Sequence, residues 1–204
     1  MKNIAVFASG GGTDFQSIID ANERENFCVI KYLVASKAEI GAIERAKKHG
    51  IEVLVFDKGT ESKEMFYARV ADTLKKANIS YIVLAGWLLV VPASFINQFE
   101  DRIINIHPSL IPAFCGMGYY GLRVHRSAIE YGVKVSGATV HFVSADVDGG
   151  AIIMQRAVPV LFGDTPEALQ ARILEVEHTM LPECVKLLCE GKIRKEGRQV
   201  CVEQ

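Results

Sequence analysis

"NIAVFASGGGTDFQSII", residues 3–19, decides the fold. Its first six residues form an apolar run of strand length, and the stretch from Asp14 to Ile19 takes up a helical period. Three glycines, Gly10 to Gly12, lie between them. A strand that passes through a glycine turn straight into a helix opens a βαβ unit. Working outward from it, strands are expected at 3–8, 28–35, 52–56, 81–85 and 103–107, with helices near 14–23, 41–49, 62–78 and 92–99 between them. That alternation predicts an α/β fold built on a mainly parallel, twisted sheet with helices on both faces. Residues 136–144 and 151–160 flank a glycine-containing turn and predict a late antiparallel hairpin. A long C-terminal helix is expected from about residue 165, where Leu169, Ile173, Val176 and Met180 fall on one stripe, with Pro182 kinking or restarting it. The tail "KIRKEGRQVCV" reads as a small edge hairpin. No repeat or linker divides the chain, so residues 1–204 are taken as a single domain.

Composition narrows the function. The chain has 204 residues, half of them hydrophobic, which excludes a disordered or fibrous protein. A net charge of −1 argues against a broad nucleic-acid footprint and leaves small anionic ligands open. Cysteines 28, 115, 184, 189 and 201 form neither a CxxC pair nor a zinc spacing, so reduced thiols, no metal site and a cytoplasmic location are expected. The apolar stretch 81–96 is too short for a membrane span and is broken by Gly86 and Pro92. The amino end lacks the apolar core of a signal peptide. Oligomeric state is not legible at this level.

The residues that can carry chemistry cluster in a few places. In "RIINIHPSLIP", residues 102–112, Asn105 and His107 are two apart on a strand and therefore share a face. Pro108 ends the strand and leaves both at its carboxyl end, where open α/β sheets bind ligands. Taken alone, the pair also fits a core histidine beside a turn-forming asparagine. The glycine loop leads into a helix N-terminus, whose unpaired N–H groups favour anions. Phe15 replaces the third glycine of a dinucleotide loop, and the second strand lacks a terminal acid, so NAD is disfavoured. Thr13 and Gln16 have capping-box spacing. Asp146 and Asp148 lie in the turn of the late hairpin, where Asp before Gly is also an ordinary turn pair, and His141 reads as structural. The glycine- and tyrosine-rich stretch 112–132 has the length of a functional lid.

Together, the glycine loop after strand one, the N-x-H-P-S-L-x-P run and the downstream H-F-V-x-x-x-x-D-G-G strongly resemble the formyltransferase family that uses 10-formyltetrahydrofolate. The resemblance covers essentially the whole chain, and the branch acting on glycinamide ribonucleotide in purine synthesis matches best. It implies a catalytic trio of Asn105, His107 and Asp148. Asn105 and His107 would stabilise the developing oxyanion, and Asp148 would raise the His107 pKa and help remove the amine proton. It further implies a phosphate loop of Gly11, Gly12, Thr13 and Asp14, and Glu177 as the acid that holds the substrate ribose. Lys63, Leu88, Leu89, Val90, Val91, Val143 and Asp146 would serve the folate co-substrate. Residues 1–100 would form the phosphate-binding half and 101–204 the catalytic and folate-binding half. No metal, nucleic acid or membrane is implied.

Two departures mark this chain: Asp14 where most members carry Asn, and Leu89 where many carry Arg. A carboxylate beside a phosphate is repelled, so the Asp14 side chain is expected to turn away, to a backbone N–H or a nearby cation, while its main chain serves the anion. Transfer of the formyl group to water or to an amino sugar is a rival reading, separated by the ribose and phosphate contacts. A catalytically idle nucleotide-binding module is a further rival, which the trio opposes.

Overall fold

The computed structural model describes residues 1–203. Seven strands form one sheet in the order β3-β2-β1-β4-β5-β6-β7: β1 (Lys2–Ala8), β2 (Cys28–Ala35), β3 (Glu52–Val55), β4 (Ile79–Leu84), β5 (Ile103–His107), β6 (Val135–Phe142) and β7 (Ile152–Pro159). The first five are parallel, and β6 and β7 run antiparallel to their neighbours. The central strand explains why both faces must be covered. Ile4, Val6 and Ala8 of β1 point to one face, against α1 (Thr13–Glu25), α2 (Gly41–Lys48) and α6 (Pro166–Glu190). Ala5 and Phe7 point to the other, against α3 (Lys63–Lys76) and the short α4 (Ala93–Ile96). Each such fully buried large side chain contributes roughly 1.5–3 kcal/mol, so a strand apolar at every position is stable only between two helix layers.

The path of the chain creates a crevice. From β1 the chain runs outward to β2 and β3, then crosses back to β4 on the other side of β1. The loops leaving β1 and β4 therefore diverge at the carboxyl end of the sheet, the usual binding position in such folds. Ser9 ties them together: its N–H donates to the Gly86 carbonyl (3.1 Å), and its hydroxyl accepts from the Leu88 N–H (3.0 Å).

Several local expectations change. The Thr13–Gln16 capping box does not form. Gly12 is the N-cap in a left-handed conformation (φ 73°), which makes Thr13 the first helical residue, and the Gln16 side chain bonds Asp20 and Arg45 instead. The helix expected at 92–99 is one turn of α-helix followed by a 3-10 turn at Asn97–Phe99. Pro182 lies inside α6 without restarting it. The tail forms a hairpin, β8 (Ile193–Glu196) with β9 (Gln199–Val202), as a separate two-stranded sheet whose Ile193, Val200 and Val202 pack on the core. Among the described residues no helix is long and apolar enough to cross a membrane.

Candidate active site

A cavity of about 400 Å³ opens at the carboxyl end of the sheet. The segment after β4, the segment after β5, the β6–β7 turn and one face of α6 enclose it. Its wall is apolar and includes Leu88, Leu89, Val90, Val91 and Val143. Leu88 is 59% exposed and Val90 56%, apolar area held open to solvent that suits a flat aromatic ligand.

At the head of the cavity stand Asn105, His107, His141 and Asp148. Asn105 and His107 project together from the last residues of β5, as the two-residue strand period requires. The antiparallel register sets Asn105 opposite His141 of β6, and the Asn105 Nδ2 donates to His141 Nε2 (3.1 Å). His141 Nδ1–H in turn donates to the Phe142 carbonyl (2.8 Å), which fixes the tautomer and leaves Nε2 as acceptor. The second Nδ2 hydrogen of Asn105 has no part in this bond. Asp148 occupies the β6–β7 turn with φ 55°, a backbone region that Asp tolerates. Its Oδ2 accepts from the Gly116 N–H (2.8 Å) and lies 3.6 Å from His107 Nδ1, while its Oδ1 lies 3.6 Å from His141 Nε2.

His107 Nε2–H donates to the Phe114 carbonyl (3.0 Å), and its Nδ1 faces Asp148. The one N–H of the neutral ring is thereby committed to the Phe114 carbonyl, and Nδ1 makes no hydrogen bond, so the expected donation from a His107 N–H to an oxyanion does not follow from this geometry. Burial, rather than the expected upward pull of Asp148, sets the net direction of the His107 pKa. Burial lowers it, with His141 adding to the effect, and this outweighs the pull of Asp148 and Phe114, leaving the pKa below its ordinary value. For Asp148, burial pushes upward, but contact with His141, the His107 charge and the Gly116 N–H together hold it below the usual carboxylate range.

The segment expected to be a lid reaches the same head group. Phe114 and Gly116 bond His107 and Asp148, residues 116–121 line the cavity, and α5 (Leu122–Tyr131) begins only after them. His125 of α5 also lines the cavity and is 1% exposed. Burial and the nearby His107 push its pKa down to about 4.

A second, polar pocket of about 310 Å³ is lined in part by Thr13, Arg45 and His178, and Asp14 and Glu177, the sequence neighbours of Thr13 and His178, line the main cavity. The Gln16 N–H makes the first intrahelical bond, to the Gly12 carbonyl, so the N–H groups of Thr13, Asp14 and Phe15 precede it at the positive end of α1. The glycine loop is held from α2: the Ala42 N–H donates to the Gly10 carbonyl (3.2 Å) and Arg45 Nε to the Gly11 carbonyl (2.8 Å). The Asp14 carboxyl finds no backbone N–H; the His178 imidazole lies beside it, with Nε2 3.8 Å from Oδ1, beyond hydrogen-bond reach.

The trio, Glu177, Asp14 and the five apolar wall residues thus line one cavity. Other residues expected at the site do not line it. Lys63 is the exposed first residue of α3 and is absent from the lining, and Asp146 is exposed, its carbonyl accepting from Ser144 and Gly149 within the turn. Thr13 lines the polar pocket rather than the main cavity, and Gly11 and Gly12 line neither. The residue underestimated from sequence is His141, whose only signal was its place at the head of the H-F-V-x-x-x-x-D-G-G run. Trp87 and Tyr67 were also missed: Trp87 lines the cavity, and its Nε1 donates to the Tyr67 hydroxyl (3.0 Å).

A family model described as formyl transferase matches residues 2–185. Among curated proteins, the chain is 44% identical over 200 residues to the chloroplastic phosphoribosylglycinamide formyltransferase of Vigna unguiculata, covering 96% of this chain and 64% of that protein. It is 37% identical to the trifunctional purine biosynthetic protein adenosine-3 of Gallus gallus, covering 97% of this chain and 20% of that one. The chain therefore spans just under two thirds of the first relative and a fifth of the second. Among solved structures, glycinamide ribonucleotide transformylase 1 from Symbiobacterium toebii superposes with a TM-score of 0.91 at 42% identity, covering 100% of this chain and 95% of that one.

Proposed function

Because this chain belongs to the formyl transferase family, we propose that it moves the formyl group of 10-formyltetrahydrofolate to the primary amine of glycinamide ribonucleotide, a step of de novo purine biosynthesis. The observation that carries this is the convergence of Asn105, His107, His141 and Asp148 at the head of a cavity whose wall is apolar and whose other end meets the first turn of α1. The apolar wall suits the pterin and benzoyl rings of the donor, and the α1 N–H groups suit the phosphate of the acceptor. The first hundred residues would then hold the phosphate, and the remainder the reacting groups and the folate. Five unpaired cysteines fit a reducing, cytoplasmic setting.

The acceptor amine attacks the formyl carbon, negative charge gathers on the formyl oxygen, and the nitrogen must lose a proton. Asn105 supplies the oxyanion donor: His141 holds one Nδ2 hydrogen, which aims the other into the cavity. Asp148, with its pKa held low, is a weak base, whereas His107, with its pKa also lowered, is a neutral imidazole near pH 7. His107 Nδ1 therefore takes the amine proton, and the Asp148 carboxylate 3.6 Å away stabilises the imidazolium as it forms. The same proton passes to the folate nitrogen as the carbon–nitrogen bond to the donor breaks. No covalent enzyme intermediate is needed.

The test is an acceptor panel with 10-formyltetrahydrofolate, followed by appearance of tetrahydrofolate and of formylated product, with and without a chelator. Turnover confined to glycinamide ribonucleotide and indifferent to chelator is expected. Equal turnover with water or an amino sugar would overturn the assignment.

A further inference from the structure

Three histidines line the cavity, His107, His125 and His141, and two of them are held by hydrogen bonds. His107 donates to the Phe114 carbonyl, and His141 sits between the Asn105 amide and the Phe142 carbonyl. His125 is just as enclosed, at 1% exposure, yet its Nδ1 is buried with no hydrogen-bond partner among the described residues. Its Nε2 is not enclosed in that way, so it is the nitrogen through which the ring meets the cavity. Packing alone does not account for this side chain. The other buried residues of α5 are Val124 and Ala128, an apolar face that a hydrophobic residue would complete. Buried polar groups are normally paired, and one that lines a cavity unpaired is accounted for when a ligand brings the partner.

The tautomer decides what the ligand must offer. A proton on Nδ1 would bury a donor that nothing can satisfy, whereas a proton on Nε2 can be satisfied from the cavity, so the neutral ring presents an Nε2–H there. The ring does stay neutral near pH 7, because burial and the nearby His107 push its pKa down to about 4. That influence of His107 also places His125 near the head of the cavity. An uncharged donor at this point calls for an oxygen on the ligand.

We propose that His125 is a second oxyanion donor, its Nε2–H binding the formyl oxygen together with Asn105 as negative charge gathers there. This rests on the function proposed above. It fills the place that the sequence suggested for His107, whose own N–H is held by the Phe114 carbonyl. The glycinamide carbonyl is the other oxygen near the reacting centre, and kinetics separate the two. A donor to a developing oxyanion acts on kcat, whereas a donor to a carbonyl of the bound acceptor acts on its KM.

The experiment compares His125→Phe, which keeps a ring and loses the donor, with His125→Gln, whose amide N–H reaches the same position. Alongside, 15N spectra of the wild-type protein read the tautomer of His125, free and with a stable tetrahedral analogue of the formyl-transfer adduct bound. His125→Phe should lower kcat about a hundredfold, the cost of one oxyanion donor, with KM for either substrate changed less than about threefold. His125→Gln should recover about tenfold of that loss. Wild-type turnover in a folded Phe variant, a loss confined to KM for the acceptor, or a kcat loss that Gln does not recover would each overturn the proposal. If the Phe variant does not fold, the spectra decide: an Nε2–H signal that moves downfield with the analogue supports the proposal, and an Nδ1–H tautomer or an unmoved signal overturns it. Failure of the wild type to formylate glycinamide ribonucleotide at all would instead overturn the proposed function, and this inference with it, whatever the tautomer.

Discussion

Replacing Gly12 by alanine tests whether the loop between β1 and α1 is built as described. Gly12 has φ 73°, and a Cβ added there would lie 2.7 Å from the Ala42 Cβ and 2.9 Å from the Ala42 Cα at the start of α2. The left-handed conformation costs an L-residue roughly 1–2 kcal/mol. Carbon contacts are relaxed only at about 3.5–4.0 Å, so α2 or the loop must move by close to an ångström, an overpacking worth roughly 1–3 kcal/mol. The sum, roughly 2–5 kcal/mol, corresponds to a fall in Tm of roughly 4–20 °C for a chain of this size. Gly11→Ala is the control: nothing lies within 4 Å of the position its new methyl group would take, and its φ is not left-handed. Thermal unfolding of both variants, followed by KM for each substrate at a temperature where both are folded, is the assay. Gly12→Ala should lose stability and raise KM for the acceptor more than for the folate, because the displaced loop carries the α1 N–H groups. Equal Tm for the two variants would refute the close approach of loop and α2.

Further outcomes follow from the head of the cavity. Asn105→Ala should lower kcat by about 10²–10³ with little change in KM, the cost of removing one oxyanion donor; a loss confined to KM would reassign Asn105 to binding. His141→Phe should lower kcat by about tenfold through the freed Asn105 amide, and wild-type turnover would mean that Asn105 needs no holding. On the proposed role of His107 as a neutral base, with a pKa below its ordinary 6.5, kcat/KM should be level near neutrality and fall only as pH drops below that value. Asp148→Asn removes the charge that pulls the His107 pKa upward, so the acid limb should move to lower pH and the plateau should drop; an unmoved limb would show that another group titrates. Lys63→Ala, on the exposed start of α3, should leave KM for the folate unchanged.

What the sequence determined by itself is what depends on near neighbours. A two-residue strand period places Asn105 and His107 on one face, and alternating strand and helix periods specify a parallel sheet whose carboxyl end holds the cavity; both need only a few residues of context. Where a long-range pairing or a backbone angle decides, the sequence stops. The antiparallel register of β5 and β6 makes His141 the partner of Asn105, although the two are 36 residues apart and His141 alone reads as core. The positive φ at Gly12 removes the capping box that Thr13 and Gln16 spell, and the turn at Asp148 turns Asp146 outward while bringing Asp148 to His107. Likewise the sign of the His107 shift is a contest between an attraction visible in residue type and a desolvation set by everything packed around it. Attraction can be guessed once a neighbour is named, but burial is a property of the whole assembled chain, and only the tertiary structure supplies it.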